Sequence, residues 1–309
     1  MDQSLRRTFN QQPPLRLRSL SLMTCCLAVT LHAADAGNEQ EQPRADKSHY
    51  HLFNPTPRSQ LREMSTDRPD KTESAYTVDA GHFQVEMDLL SYGHDRERSG
   101  GATTTVDAFA IAPINFKVGL CNQVDLQVVV ETWNYVRTKV SAPGFKSSQH
   151  QRGFGDITTR LKYNFWGNDG GRTAFAATPY VKFPTSHDDI GNRAVEGGLV
   201  LPLAVELPHG FYLGATTRFD AVQDEDDSGY HTEFINSFEF GHDLIGSLYG
   251  YVEFFSAVST ERDADWEASF NVGMVYRLTQ NVLLNAGVDT GVTRSADDLS
   301  AYAGLTWRF

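Results

Sequence analysis

The chain has 309 residues, a formal net charge of −12 and a hydrophobic fraction of 40%. This length allows one large domain or two ordinary ones, and the acidic balance argues against nucleic acid as a partner, since nucleic-acid binding requires clustered Lys and Arg. Beyond residue 36 no stretch approaches 18 uninterrupted apolar residues, so no membrane-spanning helix is predicted there.

The first 36 residues have the features of a secretory signal peptide. Arginines among residues 6–18 form a basic region, residues 19–31 form an apolar run, and Ala34-Asp35-Ala36 is a small-x-small cleavage site. We therefore predict a signal peptide over residues 1–36; the alternative is an amphipathic or buried helix. Cleavage would leave Cys121 as the remaining cysteine, so no internal disulfide is expected.

Residues 37–64 are polar and contain several prolines, which predicts a disordered lead-in without a core of its own. His49 and His51 offer imidazoles in this stretch, but no further ligand lies near them in the sequence. We therefore predict no metal site and no cofactor.

Residues 65–80 form a charged segment ahead of the first strand. Asp67, Arg68 and Asp70 are charged, and Pro69 stiffens the backbone between them. The eleven or so residues that follow span up to roughly 35 Å, enough to reach back into a barrel mouth. We predict that this segment plugs the lumen at its periplasmic end; a free periplasmic tail is the alternative.

From residue 81 onward apolar and polar residues alternate with a period of two, which is typical of half-buried strands. Twelve such stretches occur, near residues 81–92, 104–119, 123–138, 153–166, 172–184, 194–207, 211–223, 230–241, 247–259, 266–279, 281–293 and 299–309. Each is about 11–16 residues long, whereas globular strands average five or six and a tilted membrane strand needs about 9–11. The second stretch changes phase around Pro113, which predicts a bulge there. The pattern predicts an all-β fold, a transmembrane antiparallel β-barrel of about 12 strands.

The connections alternate between short turns and longer, mostly charged loops such as residues 93–101 and 141–151. Short periplasmic turns and longer extracellular loops are the outer-membrane pattern, so we predict the cell outer membrane as the location. Outer-membrane lipid and lipopolysaccharide are then the expected surroundings, with divalent cations bridging acidic loops to phosphates. A solvated charge run explains any single loop equally well.

In the last strand, Ala301–Phe309, apolar residues occupy every second position up to the aromatic Phe309. In a closed barrel it must pair with the first strand, and Trp307 and Phe309 then face lipid at the periplasmic interface. The pattern resembles the C-terminal signal that the barrel-assembly machinery recognises, so this machinery is an expected partner.

The face opposite the apolar one lines the interior and mixes acidic, basic and tyrosine side chains. The predicted solute path consists of Arg160, Lys162, Lys182, Arg218, Arg277, Glu196, Glu233, Glu253, Tyr249 and Tyr251. Paired charges and amphipathic tyrosines suit passive diffusion of a small aromatic or amphipathic solute. The main alternative is a structural or adhesin-like barrel without a through-path, because twelve strands leave limited room.

An outer-membrane lipase is a weaker alternative. His231 and Ser237 share one strand but point inward, six residues apart, and no Gly-x-Ser-x-Gly motif occurs. We therefore predict no catalytic residues and no enzyme activity.

Three stretches carry a family resemblance: STDRPDKTESAYTVDAGHFQVE at residues 65–86, GFGDITTRLKYNF at residues 153–165 and TPYVKFPT at residues 178–185. They resemble the family named for the MetA pathway of phenol degradation, whose members are regarded as outer-membrane channels. The resemblance extends over residues 65–309. It implies a barrel and a role in solute passage, and it supplies no catalytic residues.

Overall fold

The computed structural model describes residues 46–186, 190–224, 229–262 and 264–309. The predicted signal peptide lies outside these residues. Within them, no helix is long and apolar enough to cross a membrane. The strands are β1 (Phe83–Ser99), β2 (Ala102–Ile111), β3 (Ile114–Cys121), β4 (Val124–Val130), β5 (Trp133–Ala142), β6 (Phe145–Gly153), β7 (Ile157–Trp166), β8 (Thr173–Phe183), β9 (Glu196–Leu207), β10 (Phe211–Gln223), β11 (Tyr230–Ile245), β12 (Leu248–Ser259), β13 (Glu267–Thr279), β14 (Val282–Gly291) and β15 (Leu299–Arg308). Two short 3₁₀ turns, Arg58–Gln60 and Pro208–Gly210, complete the regular structure of the described residues.

The strands form one closed antiparallel sheet, because β15 pairs with β14 on one side and with β1 on the other. At the seam, the Phe83 amide donates to the Phe309 carbonyl at 3.1 Å and the Phe309 amide donates to the Phe83 carbonyl at 2.9 Å. Closure satisfies the backbone groups that an open sheet would leave unpaired in hydrocarbon. The predicted fold class, a twelve-stranded transmembrane barrel, is confirmed.

Three of the twelve barrel strands are each built from two shorter strands: β2 with β3, β4 with β5, and β6 with β7. The first interruption falls at Ala112 and Pro113, where Ala112 has φ 52° and Pro113 has no amide to donate. The sequence predicted a bulge at Pro113; the structure has instead a break between two strands at this position.

Beyond these interruptions, the upper half of β1 continues with β2, β5 and β6 as a four-stranded sheet, which we call the extracellular extension. Among the described strands β6 pairs with β5 alone. Residues 93–101 and 141–151, predicted as loops, are therefore mostly strand, with tight turns at 100–101 and 143–144. The prediction was wrong because both faces of these strands are polar, so no hydrophobic alternation marks them.

The side chains follow an inside-out pattern along each membrane strand. In β7, Leu161, Tyr163 and Phe165 are exposed while Lys162 and Asn164 are buried. A ring of aromatic residues marks the periplasmic end of the outer face; there the Phe83 ring lies 5.8 Å from Phe116 and 5.7 Å from Phe309. Such a girdle is typical of the membrane interface.

Residues 46–64 are folded against the periplasmic end of the barrel, which differs from the predicted disordered lead-in; residues 37–45 lie outside the described residues. Asp79 is fully buried and organises this region. Its carboxylate contacts Arg62 Nε at 3.2 Å and the cations of Lys47 and Arg308 at 3.5 Å each. Polar composition alone predicted disorder because it could not reveal that each cation meets a buried carboxylate.

We expect Leu161→Arg and Leu201→Arg to destabilise the barrel by about 2–4 kcal/mol each, because both side chains face lipid. Thr158→Arg is the matched control, since Thr158 faces a lumen cavity beside Glu131 and Glu196. Urea unfolding in liposomes measures the difference. Equal destabilisation by the three substitutions would contradict the assignment of faces.

We expect Phe309→Asp to reduce the amount of assembled barrel strongly, because it places a carboxylate in the interfacial aromatic girdle next to Phe83. Ile245→Asp is the control, since Ile245 is 78% exposed at a periplasmic turn, away from the seam. Heat-modifiable, membrane-inserted protein is quantified on gels. A similar loss in both variants would mean that the seam aromatic has no special role.

Candidate functional site

Residues 65–76 lie inside the barrel, and we call them the lumen segment. The Thr66 hydroxyl hydrogen-bonds Thr306 of β15 at 3.0 Å, and the Glu73 amide donates to Thr216 of β10 at 2.9 Å. Because β10 and β15 lie nearly opposite each other in the ring of strands, the lumen segment crosses the bore.

Asp67 is the best-anchored residue of the lumen segment. Its carboxylate contacts Lys117 Nζ at 2.5 Å and Lys162 Nζ at 2.7 Å, and its amide donates to Glu86. Burial favours the neutral acid, but the two ammonium groups outweigh burial and hold the pKa of Asp67 well below its usual range. Lys162 also donates to the carbonyl of Ser74 at 2.7 Å, so the start and end of the lumen segment share one cation.

Three more ion pairs join the lumen segment to the wall: Arg68 with Asp88, Lys71 with Asp289 and Glu73 with Arg160. The segment therefore places its charges against opposite charges of the wall at successive positions. These contacts are hydrogen bonds and ion pairs, and the apolar cluster that the segment joins is small, consisting of Ala75 and Tyr76 with Ala174 and Ala176.

Asp70 is the exception, because it faces carboxylates. Burial raises its pKa, and the charges of Glu239 and Glu253 raise it further. A side-chain hydrogen bond between Asp70 and Glu239 raises the pKa of Asp70 as well. The amide of Lys71 donates to Glu253 at 2.9 Å, which compensates part of the charge there.

Tyrosines line the wall beside Asp70. The hydroxyls of Tyr251 and Tyr302 lie 3.3 Å apart. Each ring rests on a glycine directly opposite in the neighbouring strand, Gly273 for Tyr251 and Gly287 for Tyr302. A Cβ at either glycine would collide with the ring, so glycine lets both rings lie flat against the wall.

The lumen segment divides the interior into two cavities. The cavity toward the extracellular end is lined by Asp88, Ser91, Glu267, Asp289, Asp297 and Tyr302. The cavity toward the periplasm is lined by Tyr76, Tyr212, Glu239, Tyr249, Tyr251 and Arg277. Arg68, Pro69, Asp70 and Glu73 border both cavities, so this part of the chain is the partition between them.

The structure places the predicted solute-path residues on the inner face, in three groups. Lys162 and Glu253 are almost fully buried and bind the lumen segment. Tyr249, Tyr251 and Arg277 line the periplasmic cavity. Arg160, Lys182, Glu196, Arg218 and Glu233 surround a smaller cavity near the extracellular end. Their role in solute passage stays a prediction.

Sequence reasoning did not single out Asp79, Glu239 or Lys117 as site residues. The alternation places Glu239 and Lys117 on the inner face, but it cannot tell which inward charges meet the lumen segment. Asp79 precedes the first strand and carries no pattern that would identify it.

One group in the described part of the chain has the composition of a metal site. Ligand atoms of Asp224, His231 and Glu261 all lie within 4.8 Å of one another at the extracellular end. The His231 ring also satisfies both of its nitrogens with protein: Nδ1 lies 3.0 Å from Asp224 and Nε2 lies 3.5 Å from Glu233. Ser237, the residue considered with His231 as a lipase pair, instead accepts a hydrogen bond from Thr72.

Comparison with solved structures finds the same architecture in membrane barrels. An outer membrane channel from Pseudomonas putida F1 is 13% identical, with a TM-score of 0.54, over 79% of this chain and 100% of that chain. The NanC porin is 11% identical, with a TM-score of 0.44, over 71% and 98%. The transport unit of the autotransporter AIDA-I from Escherichia coli is 11% identical, with a TM-score of 0.47, over 80% and 93%. At 13% identity, the likeness to the Pseudomonas putida channel shows a shared fold alone.

The closed barrel, its girdle and its polar interior define an outer-membrane β-barrel protein. No curated protein sequence matches the chain. The family described as "Putative MetA-pathway of phenol degradation" matches residues 66–309, and the chain belongs to it. The resemblance noted in the sequence is thereby confirmed.

We expect Asp67→Asn to destabilise the docked lumen segment by about 1.5–3 kcal/mol, the range for hydrogen bonds to charged groups. It removes the carboxylate that faces Lys117 and Lys162. Asp70→Asn is the matched control, since the amide can donate to Glu239 and the substitution removes no partner of a cation. The measurement introduces Ser74→Cys in a Cys121→Ser background and follows its reaction with a bulky thiol reagent. Faster modification indicates that the lumen segment has left its position against the wall. Equal modification in both variants would contradict the anchoring role of Asp67.

Proposed function

We propose that the protein is a channel through which small solutes diffuse across the outer membrane, and that the lumen segment is its constriction. The observation that carries this proposal is the partitioned interior. Two cavities, one toward each end of the barrel, are separated by residues 68–73 rather than by a folded plug domain.

The nature of the partition supports passage. Its contacts are polar, and water admitted by its displacement can replace them at a net cost of about 0.5–1.5 kcal/mol for each hydrogen bond, or about 1.5–3 kcal/mol for each bond to a charged group. A segment held by a large apolar interface would have to expose that interface before anything could pass. We infer that local displacement of the lumen segment joins the two cavities.

The lining supports a small aromatic or amphipathic solute. Tyr212, Tyr249 and Tyr251 present ring faces with polar tips to the periplasmic cavity. On the inner wall many charges are matched, as with Arg218 and Asp220 at 2.7 Å, so no long track of one charge sign favours a polyanion. The description of the family, which refers to phenol degradation, agrees with this solute class.

The rival proposal is a structural or adhesin-like barrel, for which the extracellular extension is the specific observation in favour. In that case the lumen segment is packing that seals the interior. Ion conductance of the unmodified protein distinguishes the two proposals, since a barrel sealed by its lumen segment conducts only after that segment has been replaced.

The test replaces residues 66–74 with a Gly–Ser segment of equal length. Residues 46–64 and Asp79, which hold the chain at the periplasmic end of the barrel, are left unchanged. We expect a folded barrel whose single-channel conductance in planar bilayers is several times that of the unmodified protein. Deletion of residues 37–45 is the control and should leave conductance unchanged. Absence of conductance from the unmodified protein, with or without conductance of the folded replacement, would favour the structural barrel.

The solute class is tested in the same preparations by liposome swelling. Phenylalanine and leucine form a matched pair that differs mainly in the aromatic ring. We expect faster entry of phenylalanine, and we expect Tyr249→Ala with Tyr251→Ala to remove that preference. A preference that persists in the double variant would exclude these tyrosines as its source.

A further inference from the structure

The two faces of the extracellular extension differ in charge. The pairing of β1 with β2, of β2 with β5 and of β5 with β6 aligns residues in rows across the sheet. Four successive rows of one face are Tyr92, Phe109, Tyr135 and Arg152; His94, Asp107, Arg137 and His150; Arg96, Thr105, Lys139 and Ser148; and Arg98, Thr103, Ser141 and Lys146. This face changes from aromatic to cationic along the strands.

This face continues the lipid-facing surface of the barrel. Directly below the aromatic row lie Ile111 and Trp133, which pair with each other and are 48% and 38% exposed. The opposite face continues the lumen wall, since Gly93 and Ala108 border the extracellular cavity. The cationic rows therefore point away from the bore, toward the surrounding membrane.

The charge on the outward face is nearly all positive. It carries Arg96, Arg98, Arg137, Lys139, Lys146 and Arg152, and Asp107 is its acidic residue. In the described part of the chain only Lys139 among these cations forms an ion pair, at 3.4 Å from Asp107. The inward face of the same strands bears Asp95 and Glu97 and no Lys or Arg. A chain of net charge −12 thus concentrates unpaired cations on one outward surface.

The height of these cations matches that of lipid headgroups. Aromatic belts sit at the level of the headgroups, and strand residues rise about 3.4 Å each. Along the strands, the cationic rows therefore begin about 7 Å beyond the aromatic row and end about 20 Å beyond it, and the tilt of the strands makes the corresponding heights smaller. A surface pocket lined by Tyr92, Asp107, Phe109, Tyr135 and Arg137 lies at the boundary, where a headgroup meets its acyl chains.

We propose that this outward face binds the phosphate groups of the phosphorylated glycolipid of the outer leaflet, the lipid A part of lipopolysaccharide. Exposed guanidinium groups bind phosphate oxygens in bidentate fashion, and the aromatic row packs against the adjoining acyl chains. The contact is direct, unlike the route through acidic loops and divalent cations predicted from the sequence. Lipid binding by this outward face does not depend on whether the barrel conducts.

The test measures binding of lipid A to the purified full barrel in detergent, with EDTA present to remove divalent cations. The probes are diphosphoryl lipid A, the same lipid without phosphates, and phosphatidylglycerol. We expect diphosphoryl lipid A to bind about tenfold more tightly than either other lipid. Arg96→Gln with Arg137→Gln should weaken that binding about tenfold, equivalent to about 1.4 kcal/mol.

Arg262→Gln with Arg294→Gln is the matched control, because it removes two exposed arginines of other extracellular loops. It should leave binding unchanged. Equal loss in both double variants, equal affinity for phosphatidylglycerol, or binding that requires added Mg²⁺ would each overturn the proposal. Heat modifiability of both variants verifies that each barrel is folded.

Discussion

A chain that crosses hydrocarbon has no water to satisfy its backbone, so each amide and carbonyl needs a partner within the protein. The ladder between β1 and β15 meets this constraint, since it joins the two ends of the sheet. Closure also fixes which side chains face outward, because alternate side chains of each strand then point either into the enclosed lumen or out toward lipid. The apolar outer face, the girdle and the polar lumen all follow from that seam.

A polar lumen in turn decides what can fill it. Residues rich in charge cannot lie on the lipid face, but they fit an interior that carries matching charges. Asp67 illustrates the balance: its burial is costly, and two lysines of the wall offset the cost. The lumen segment is thus stabilised by the wall that it crosses, and both depend on the same buried ions.

The barrel could be predicted from the sequence because strand length and period two are local properties. The interior position of Asp67, Arg68 and Asp70 could be inferred from their charge and reach, although their partners could not. The approach of Asp70 to Glu239 has no sequence signal, since two carboxylates repel each other and the burial that raises the pKa of Asp70 is a property of the folded barrel. The extracellular extension escaped prediction because strands with two polar faces lack hydrophobic alternation, and the folded lead-in escaped because its order depends on distant Asp79.

The anchoring of the chain on both sides of the lumen segment limits how the segment can move. Before it, Arg62 is tied to Asp79, and after it the amide of Val78 donates to Asp125 at 3.0 Å. The segment is therefore a tethered loop and cannot withdraw as a free tail. A displaced loop with both ends fixed remains at an effective concentration on the order of millimolar beside its own binding site. Re-docking is then intramolecular, so the partition re-forms without a second protein and at a rate independent of how many barrels the membrane holds.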